Sequence, residues 1–245
     1  MDNLFNFPKD IKERHQYILE CMSSGKYELE FTPINISDGK NTLEIYVSKD
    51  VIKINGIRIN VSARLQQQIA DIIGISLITA KVSDAIFDNA SLILEPSTRE
   101  ITSSTEAMIE YSQLIDQKIA VNPTDKIICT LGKDWVLDNK ATSTKAVNYG
   151  WHIKSKQNSW KGITIYPCAS LMKDSKTGAY YKVIQQPSTW HNLEQDDYSQ
   201  KGRYMGIPCF LNGEQTTIQY IGSTPEYAGL ISYQGVIVNF RQPGV

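Results

Sequence analysis

The sequence predicts an α+β protein in which N-terminal helices with a small antiparallel sheet are followed by a mainly β, loop-rich second half. Apolar residues recur at helical spacing in four segments of the first half, and short β-branched runs between turn residues dominate after Pro123. This change divides the chain into a mixed helix and sheet region, residues 1–122, and a β-rich region, residues 123–245, which carries the candidate site. One continuous domain fits a chain of 245 residues equally well.

The first two predicted helices flank the small sheet. Residues 8–24 carry apolar side chains at helical spacing and precede a glycine that is placed to end the helix. Residues 27–59 contain three short β-rich runs separated by the turn-forming pairs Asp-Gly and Asn-Gly, which predicts antiparallel hairpins. The second helix is predicted to begin at Ser62, a favourable N-cap, and to end at Gly74.

Two further helices precede the β-rich half. One is predicted over residues 79–90, and the other begins where Ser103 and Glu106 form a capping box. From residue 123 onwards, runs such as KIICTL, GITIYP, AYYKVI, TTIQYIG and GVIVNF predict strands joined by long loops. The glycine-rich tail, residues 205–245, could pair edge to edge with a neighbouring molecule, so an oligomer fits the pattern.

Composition excludes several classes of function. A net charge of -1 offers no field for a phosphate backbone, so nucleic acid is not an expected partner. No apolar run approaches the roughly 20 residues that cross a bilayer, which predicts no integral membrane association. The N-terminal segment mixes charges and lacks the apolar stretch of an export signal, which predicts a protein that is cytoplasmic at synthesis or virion-associated. The four cysteines lack C-x-x-C spacing and are predicted to be buried or idle thiols: Cys21, Cys129, Cys168 and Cys209.

Two of the three histidines, His152 and His191, each follow a tryptophan in the second half, and Asp197 and Ser199 follow shortly afterwards. Imidazole is the usual general base near neutral pH, a carboxylate orients it, and a serine can be activated by it. We therefore predict a catalytic site that contains these four residues. The third histidine, His15, is expected on the buried side of the first helix without a functional role.

The same residues allow two other interpretations. His152, His191 and Asp197 could together hold a divalent metal with open positions for water and substrate, although no cofactor is favoured. The G-x-S-x-G and H-E-x-x-H motifs, which would decide between serine and zinc chemistry, are both absent. In the third interpretation the Trp-His pairs are packing units and residues 196–199 form a turn held by Asx and serine contacts.

Aromatic and charged neighbours of these residues predict a surface that binds a glycan, a peptide or a partner protein. Aromatic side chains and arginine are enriched where proteins meet partners. The candidates for substrate or partner binding are Trp151, Trp190, Tyr198 and Arg203.

The second half resembles an uncharacterised group of bacterial and phage proteins. The group shares a Tyr-Gly-Trp-His element, then a proline-containing loop ending in His, and then Asp-Tyr-Ser-His-Gly followed by Arg. Here Tyr149–His152 match the first element, Pro187 and His191 the second, and Asp197–Ser199 the third. The resemblance implies the location of a site more than its chemistry.

The similarity extends upstream and covers most of residues 10–205. An Ala-x-x-Ile-Ala-Asp helix of the group fits residues 69–71, and a Lys-x-x-Asp-x-Ile helix fits Lys81, Asp84 and Ile86. These two helix motifs are less specific than the Asp-Tyr-Ser element.

This chain departs from the group at two places. Gln200 stands where the group has His, and Lys201 is inserted before Gly202. If the missing His were a base or a metal ligand, this chain would lack it. The connection from residue 153 to about residue 180 is also longer than in the group and adds tryptophan and tyrosine side chains.

Two functional hypotheses follow. The first is a hydrolase of a cell-envelope polymer that cleaves an amide, ester or glycosidic bond with the His and Asp residues and, in one version, Ser199. The alternative is a non-enzymatic phage virion or cell-surface structural protein whose aromatic loops bind a partner.

Overall fold

A computed structural model of the protein describes residues 6–168 and 178–245. Within these residues the helices are α1 (Ile11–Ser23), α2 (Ala63–Ile73), α3 (Ala80–Asp88), α4 (Thr105–Val121) and α5 (Ile218–Ser223), with a 3-10 turn at Ala228–Leu230. The strands are β1 (Phe31–Ser37), β2 (Thr42–Ser48), β3 (Lys53–Ile54), β4 (Ile57–Arg58), β5 (Ser76–Leu77), β6 (Leu92–Ile93), β7 (Ile128–Cys129), β8 (Lys133–Val136), β9 (Lys145–Ser155), β10 (Ser159–Trp160), β11 (Ile163–Thr164), β12 (Tyr166–Pro167), β13 (Tyr180–Asn192), β14 (Gln200–Lys201), β15 (Tyr204–Leu211) and β16 (Glu214–Thr217). The predicted α+β class is confirmed.

The helix boundaries follow the predicted capping residues closely. The Ser62 hydroxyl accepts the N–H of Leu65 at 3.2 Å and starts α2, while Gly74 ends it with a left-handed φ of 70°. The fourth helix begins one residue later than predicted, because the hydroxyl of Ser104, not that of Ser103, caps α4. Local side-chain chemistry is therefore sufficient to define these ends.

One sheet joins the two halves of the chain. Its strand order is β1-β2-β15-β16, and β5 pairs with the first residues of β15. Since β2 precedes residue 122 and β15 follows it, the predicted boundary divides the sequence but not the sheet. The main hydrophobic core likewise contains residues from both halves, from Ile18 to Ile237.

A second sheet contains four of the eight predicted site residues, Trp151 and His152 in β9 and Trp190 and His191 in β13. Its order is β12-β13-β9-β8-β14, and the long strands β9 and β13 are antiparallel at its centre. Their register places Val183 opposite His152 and His191 opposite Ala146. Helix α3 packs against β9, so residues of that helix reach the side chains of this strand.

The C-terminal tail differs from its prediction. The run TTIQYIG was predicted as a strand, but Ile218–Ser223 form α5 because the Thr217 hydroxyl caps the N–H of Tyr220 at 3.2 Å. The run GVIVNF forms no strand in the structure. Among the helices described, none combines the length and the apolar character needed to cross a membrane.

Candidate functional site

Asp84 is the centre of a buried hydrogen-bond cluster. It lies on α3, which the Thr79 hydroxyl caps, and its side chain is 1% exposed. Three donors converge on its carboxylate: Tyr149 Oη at 2.5 Å, His152 Nε2 at 2.7 Å and Tyr233 Oη at 2.9 Å. These donors come from β9 and from the C-terminal tail, so only the tertiary fold assembles the cluster.

An irregularity in β9 lets two of these donors reach the same carboxylate. Residues three apart in a regular strand point to opposite faces, as Tyr149 and His152 otherwise would. Between them Gly150 has a φ of 125° and Trp151 a φ of 53°. A left-handed non-glycine residue carries strain on the order of 1–3 kcal/mol, and such strain is concentrated at functional sites. The strained backbone at Trp151 therefore favours a functional interpretation of the Asp84 cluster over an interpretation as packing alone.

The imidazole of His152 is held in one orientation. Phe87 stacks on it with ring centroids 4.9 Å apart and 25° between the planes, and Tyr149 meets it edge-on at 5.3 Å. When Nε2 donates its proton to the ionised carboxylate of Asp84, Nδ1 keeps its lone pair. The ring is therefore oriented by a carboxylate and retains one nitrogen that can accept a proton.

Two carboxyl groups near His152 have pKa values shifted in opposite directions. Burial raises the pKa of Asp84, but the hydrogen bonds from His152 and the two tyrosines outweigh it and hold the pKa below its usual value. Asp134 accepts a hydrogen bond from Ser83 Oγ at 2.9 Å. Burial nevertheless raises the pKa of Asp134, against the lowering effect of the Arg203 charge. Neighbouring titratable groups with pKa values shifted apart in this way are a pattern from which acid and base roles are assigned.

A small cavity lies between these groups. Its volume is about 10 Å³, close to the least space that holds one water molecule. The polar residues in its lining are Ser83, Thr130, Asp134, His152 and Arg203. His152 and Asp134 therefore border a common space in which a single water would have several polar partners.

Cys168 adds a thiol to the cluster. Its sulfur, a carboxylate oxygen of Asp84 and an imidazole nitrogen of His152 lie within 4.8 Å of one another, and all three side chains are buried. Burial and then the charge of Asp84 raise the pKa of the thiol. The prediction that the cysteines are buried or idle is confirmed, since all four are buried.

Tyr233 connects the cluster to the protein surface. Its side chain is 39% exposed, although its hydroxyl reaches Asp84. It borders a surface pocket of about 170 Å³, with Thr79, Lys81 and Pro187 among the other lining residues. The Lys81 ammonium lies 5.4 Å above the Tyr233 ring.

The prediction that His152 and His191 belong to one catalytic site is wrong. The register of β9 and β13 places His191 opposite Ala146, six residues before His152 in β9. At about 3.3 Å per residue, the two backbones are separated by on the order of 15–20 Å. One ion held by both imidazoles and Asp197 is therefore excluded by the geometry, and so is a relay between the two rings.

His191 has a different environment. It is half-buried, its ring meets Trp135 edge-on at 5.8 Å, and burial followed by the charge of Lys133 lowers its pKa. The charge of Asp197 acts in the opposite direction on His191, but no hydrogen bond joins the two in the described residues.

Asp197 and Ser199 form the local turn that one interpretation of the sequence predicted. A single carboxylate oxygen of Asp197 accepts both the N–H of Ser199 at 2.8 Å and its hydroxyl at 2.5 Å. The N–H of Asp197 donates to Gln200 Oε1 at 2.9 Å. Since Ser199 Oγ donates to a carboxylate and both side chains are buried, His191 does not activate this serine.

Three of the four predicted binding residues are interior. Trp151, Tyr198 and Arg203 are at most 4% exposed, so the expectation that they contact a partner at the surface is corrected. Trp151 and Tyr198 pack in one apolar cluster. Arg203 donates hydrogen bonds to the carbonyl oxygens of Ser48 and Ile128. Trp190 is 80% exposed and keeps its predicted surface position.

Lys201 is completely buried in β14. Its Nζ donates to Asn60 Oδ1 at 2.5 Å and lies 5.1 Å above the Tyr111 ring. Because a charged amine loses its solvation in this position, the pKa of Lys201 falls to about 7.

This burial predicts a pH-dependent stability. Lysine in the unfolded chain stays protonated up to about pH 10.4, whereas folded Lys201 loses its proton above about pH 7. Between about pH 7 and 8 the unfolded state binds more protons, so the free energy of unfolding should rise with pH by up to ~1.4 kcal/mol per unit. Urea unfolding across this window should show the rise in the wild type and not in Lys201→Met. If the free energy of unfolding had the same slope against pH in both proteins, the lowered pKa would not belong to Lys201.

Sequence reasoning identified His152 but missed its partners. Asp84 had a signal, since it fits the Lys-x-x-Asp-x-Ile helix of the resembling group, and Tyr149 lies within the Tyr-Gly-Trp-His element. Asp134, Cys168 and Tyr233 carry no local motif. Comparison with protein-family models, curated proteins and solved structures found no match to this chain.

Proposed function

We propose that this protein is a hydrolase whose reaction centre is the buried pair Asp84 and His152, acting on an amide, ester or glycosidic bond of a cell-envelope polymer. The observation that carries the proposal is the convergence of three donors on the Asp84 carboxylate, which orients His152. Perturbed titratable groups concentrated in this way are more frequent at functional sites than elsewhere. Amide, ester and glycosidic bonds are proposed because a base, an orienting carboxylate and a water are sufficient to cleave them.

The groups around His152 match the needs of hydrolysis. A water in the small cavity attacks the scissile carbon and gives its proton to the free nitrogen of His152. Asp84 stabilises the imidazolium that forms, and Asp134, whose pKa is raised, supplies a proton to the leaving group. After the product leaves, the imidazolium releases its proton to solvent and Asp134 takes one up from solvent, which restores both groups.

Substrate access requires a local movement. Asp84, Asp134 and His152 are at most 6% exposed, whereas Tyr233 is partly exposed beside the surface pocket. Rotation of the Tyr233 side chain away from Asp84 would open the pocket towards the reaction centre. Movements of this kind are common before chemistry in enzymes with closed sites.

The test is a substitution of His152 with a matched control. His152→Gln should lower the turnover of purified cell-wall polymer by a factor of about 100–10,000, because it removes the proton acceptor. His15→Gln, in which Gln can still bond to Asp196, should keep wild-type turnover. The release of amines and of reducing ends, measured beside circular dichroism, separates loss of chemistry from loss of folding.

Two results would contradict the proposal. Wild-type turnover in a folded His152→Gln protein would remove this residue from the chemistry. A loss of turnover in His191→Gln but not in His152→Gln would move the reaction centre to the other end of β13.

A second candidate function is a non-enzymatic binding protein of a virion or cell surface. The observation that favours it is the exposure of large aromatic side chains on the second sheet, with Trp190 80%, Tyr166 41% and Tyr180 38% exposed. Aromatic side chains of this kind anchor glycans and partner proteins. Binding of insoluble polymer without turnover, weakened by Trp190→Ala, would favour this candidate, and light scattering would detect an oligomer.

A further inference from the structure

Cys168 supplies a third metal-ligating group beside Asp84 and His152. We propose that these three side chains form a zinc site, with the fourth position left for a water molecule. The oxygen, nitrogen and sulfur donors already lie within 4.8 Å of one another before any ion is considered. Asp84 lies in α3, His152 lies in β9, and Cys168 directly follows β12. The fold therefore brings the three donors together from separate segments of the chain.

The distances match a tetrahedral ion after a small adjustment. Zinc binds sulfur at about 2.3 Å and nitrogen or oxygen at about 2.0–2.2 Å, which places neighbouring donors roughly 3.5 Å apart. The direct contact of 2.7 Å between Asp84 and His152 Nε2 must open by somewhat less than an ångström. The thiol lies within 4.8 Å of both donors, so it must move in by about 1.3 Å at most. Side-chain rotation alone supplies such changes.

The donor set selects the metal. A thiolate favours zinc over magnesium and calcium, which prefer oxygen donors only. On binding, the Cys168 thiol releases its proton to solvent and the sulfur bonds to the ion, so the site gains one compensating negative charge. The hydroxyls of Tyr149 and Tyr233 bond to Asp84 and would orient it as a ligand.

The surroundings also favour an ordered site. Phe87 stacks on the His152 ring and fixes its plane, and Cys168 is 1% exposed in an interior from which bulk water is excluded. Outer residues that orient ligands in this way commonly change metal affinity by a factor of about 10–100.

The catalytic role of the ion rests on the proposed function. With zinc bound, His152 would be a ligand and would no longer take the proton of the attacking water. The ion would instead lower the pKa of the water bound to it, and this water would release its proton to solvent before attacking. Zinc binding itself can be measured without a substrate, so the site is testable independently of turnover.

The experiment compares metal binding in Cys168→Ala with that in a matched cysteine variant. Cys209 is also a buried thiol, but it lies in β15 of the other sheet, so Cys209→Ala removes the same sulfur elsewhere. Each protein is stripped with a chelator, loaded with zinc, desalted and measured for metal by mass spectrometry. Cobalt loading adds the near-ultraviolet thiolate-to-cobalt band as a specific readout.

We expect about one zinc per chain in the wild type and in Cys209→Ala, and at least a hundredfold weaker binding in Cys168→Ala and His152→Gln. Cys168→Ser replaces the alanine variant if that protein does not fold. Wild-type protein that keeps no zinc, or equal zinc in Cys168→Ala and Cys209→Ala, would overturn the site. The thiolate-to-cobalt band should be present in Cys209→Ala and absent from Cys168→Ala.

The two proposals fail separately. Zinc that depends on Cys168, in a protein without hydrolytic turnover, supports the metal site and overturns the hydrolase. Turnover that depends on His152 and survives chelation in a zinc-free protein overturns the metal site and leaves His152 as the base.

Discussion

Asp84→Ala should lower the free energy of unfolding by about 3–5 kcal/mol, the largest loss that we expect at the candidate site. The substitution removes the acceptor of three hydrogen bonds, from Tyr149, His152 and Tyr233. Tyr149 and His152 are buried and would lose these hydrogen bonds to Asp84 without gaining water, at roughly 1–3 kcal/mol each. Tyr233 is partly exposed, so its hydroxyl can turn to solvent. Denaturant unfolding of the two proteins measures the difference.

The matched variant Asp84→Asn isolates the charge. Its side chain keeps the shape and one acceptor oxygen, so it should cost less than alanine at neutral pH. The pKa of Asp84 is held low in the folded state, so the carboxylate stabilises the fold above its unfolded pKa of about 3.9 and this stabilisation is lost as the pH falls through the lower folded value. Asp84→Asn should lack that part of the acid dependence. The assigned hydrogen bonds would be contradicted if Asp84→Asn lost stability at acid pH as the wild type does, or if Asp84→Ala were as stable as the wild type.

Arg58→Met should cost about 3 kcal/mol, because it breaks a buried ion pair on one side only. Arg58 is 2% exposed and binds both carboxylate oxygens of Asp50, while its Nη1 lies 2.5 Å from Asp116 of α4. Burial raises the pKa of Asp50, but the Arg58 charge lowers it further, so Asp50 is ionised at neutral pH and would lose its main partner. The contact between Arg58 and Asp116 joins the β3–β4 hairpin to α4.

Arg241→Met provides the control for this effect. Arg241 pairs with Asp71 at 2.6 Å, but both side chains are at least 36% exposed. A solvent-exposed pair of this kind contributes on the order of 1 kcal/mol or less, and less still at high salt. Equal losses in the two variants by urea unfolding would show that burial of Arg58 does not determine its contribution.

Local chemistry in the sequence determined the α+β class and most helix ends. The predictions at Ser62 and Gly74 are correct because a cap and a left-handed stop depend on residues within one turn. The same local logic failed at TTIQYIG, where β-branched residues suggested a strand but Thr217 caps a helix. His152 was identified because its Tyr-Gly-Trp-His element stands out without any tertiary information.

Only the tertiary structure decided which residues surround His152. Its partner Asp84 is 68 residues away in the sequence, and helix packing on β9 brings them to 2.7 Å. Conversely, His191 looked like a partner in sequence, but strand register places it opposite Ala146. Register is set by pairing along the whole strand and by its bulges, which spacing between two histidines cannot reveal.

The burial of polar side chains was the other property that the sequence could not supply. Asp197 and Ser199 have side chains suited to chemistry, yet they bond to each other inside a closed turn. Cys168 has no motif, and it becomes a candidate ligand only because folding places it beside Asp84. The sequence by itself therefore determined the fold class, the helix ends and one histidine, whereas the tertiary structure decided the composition of the site, because long-range contacts depend on the packing of the whole chain.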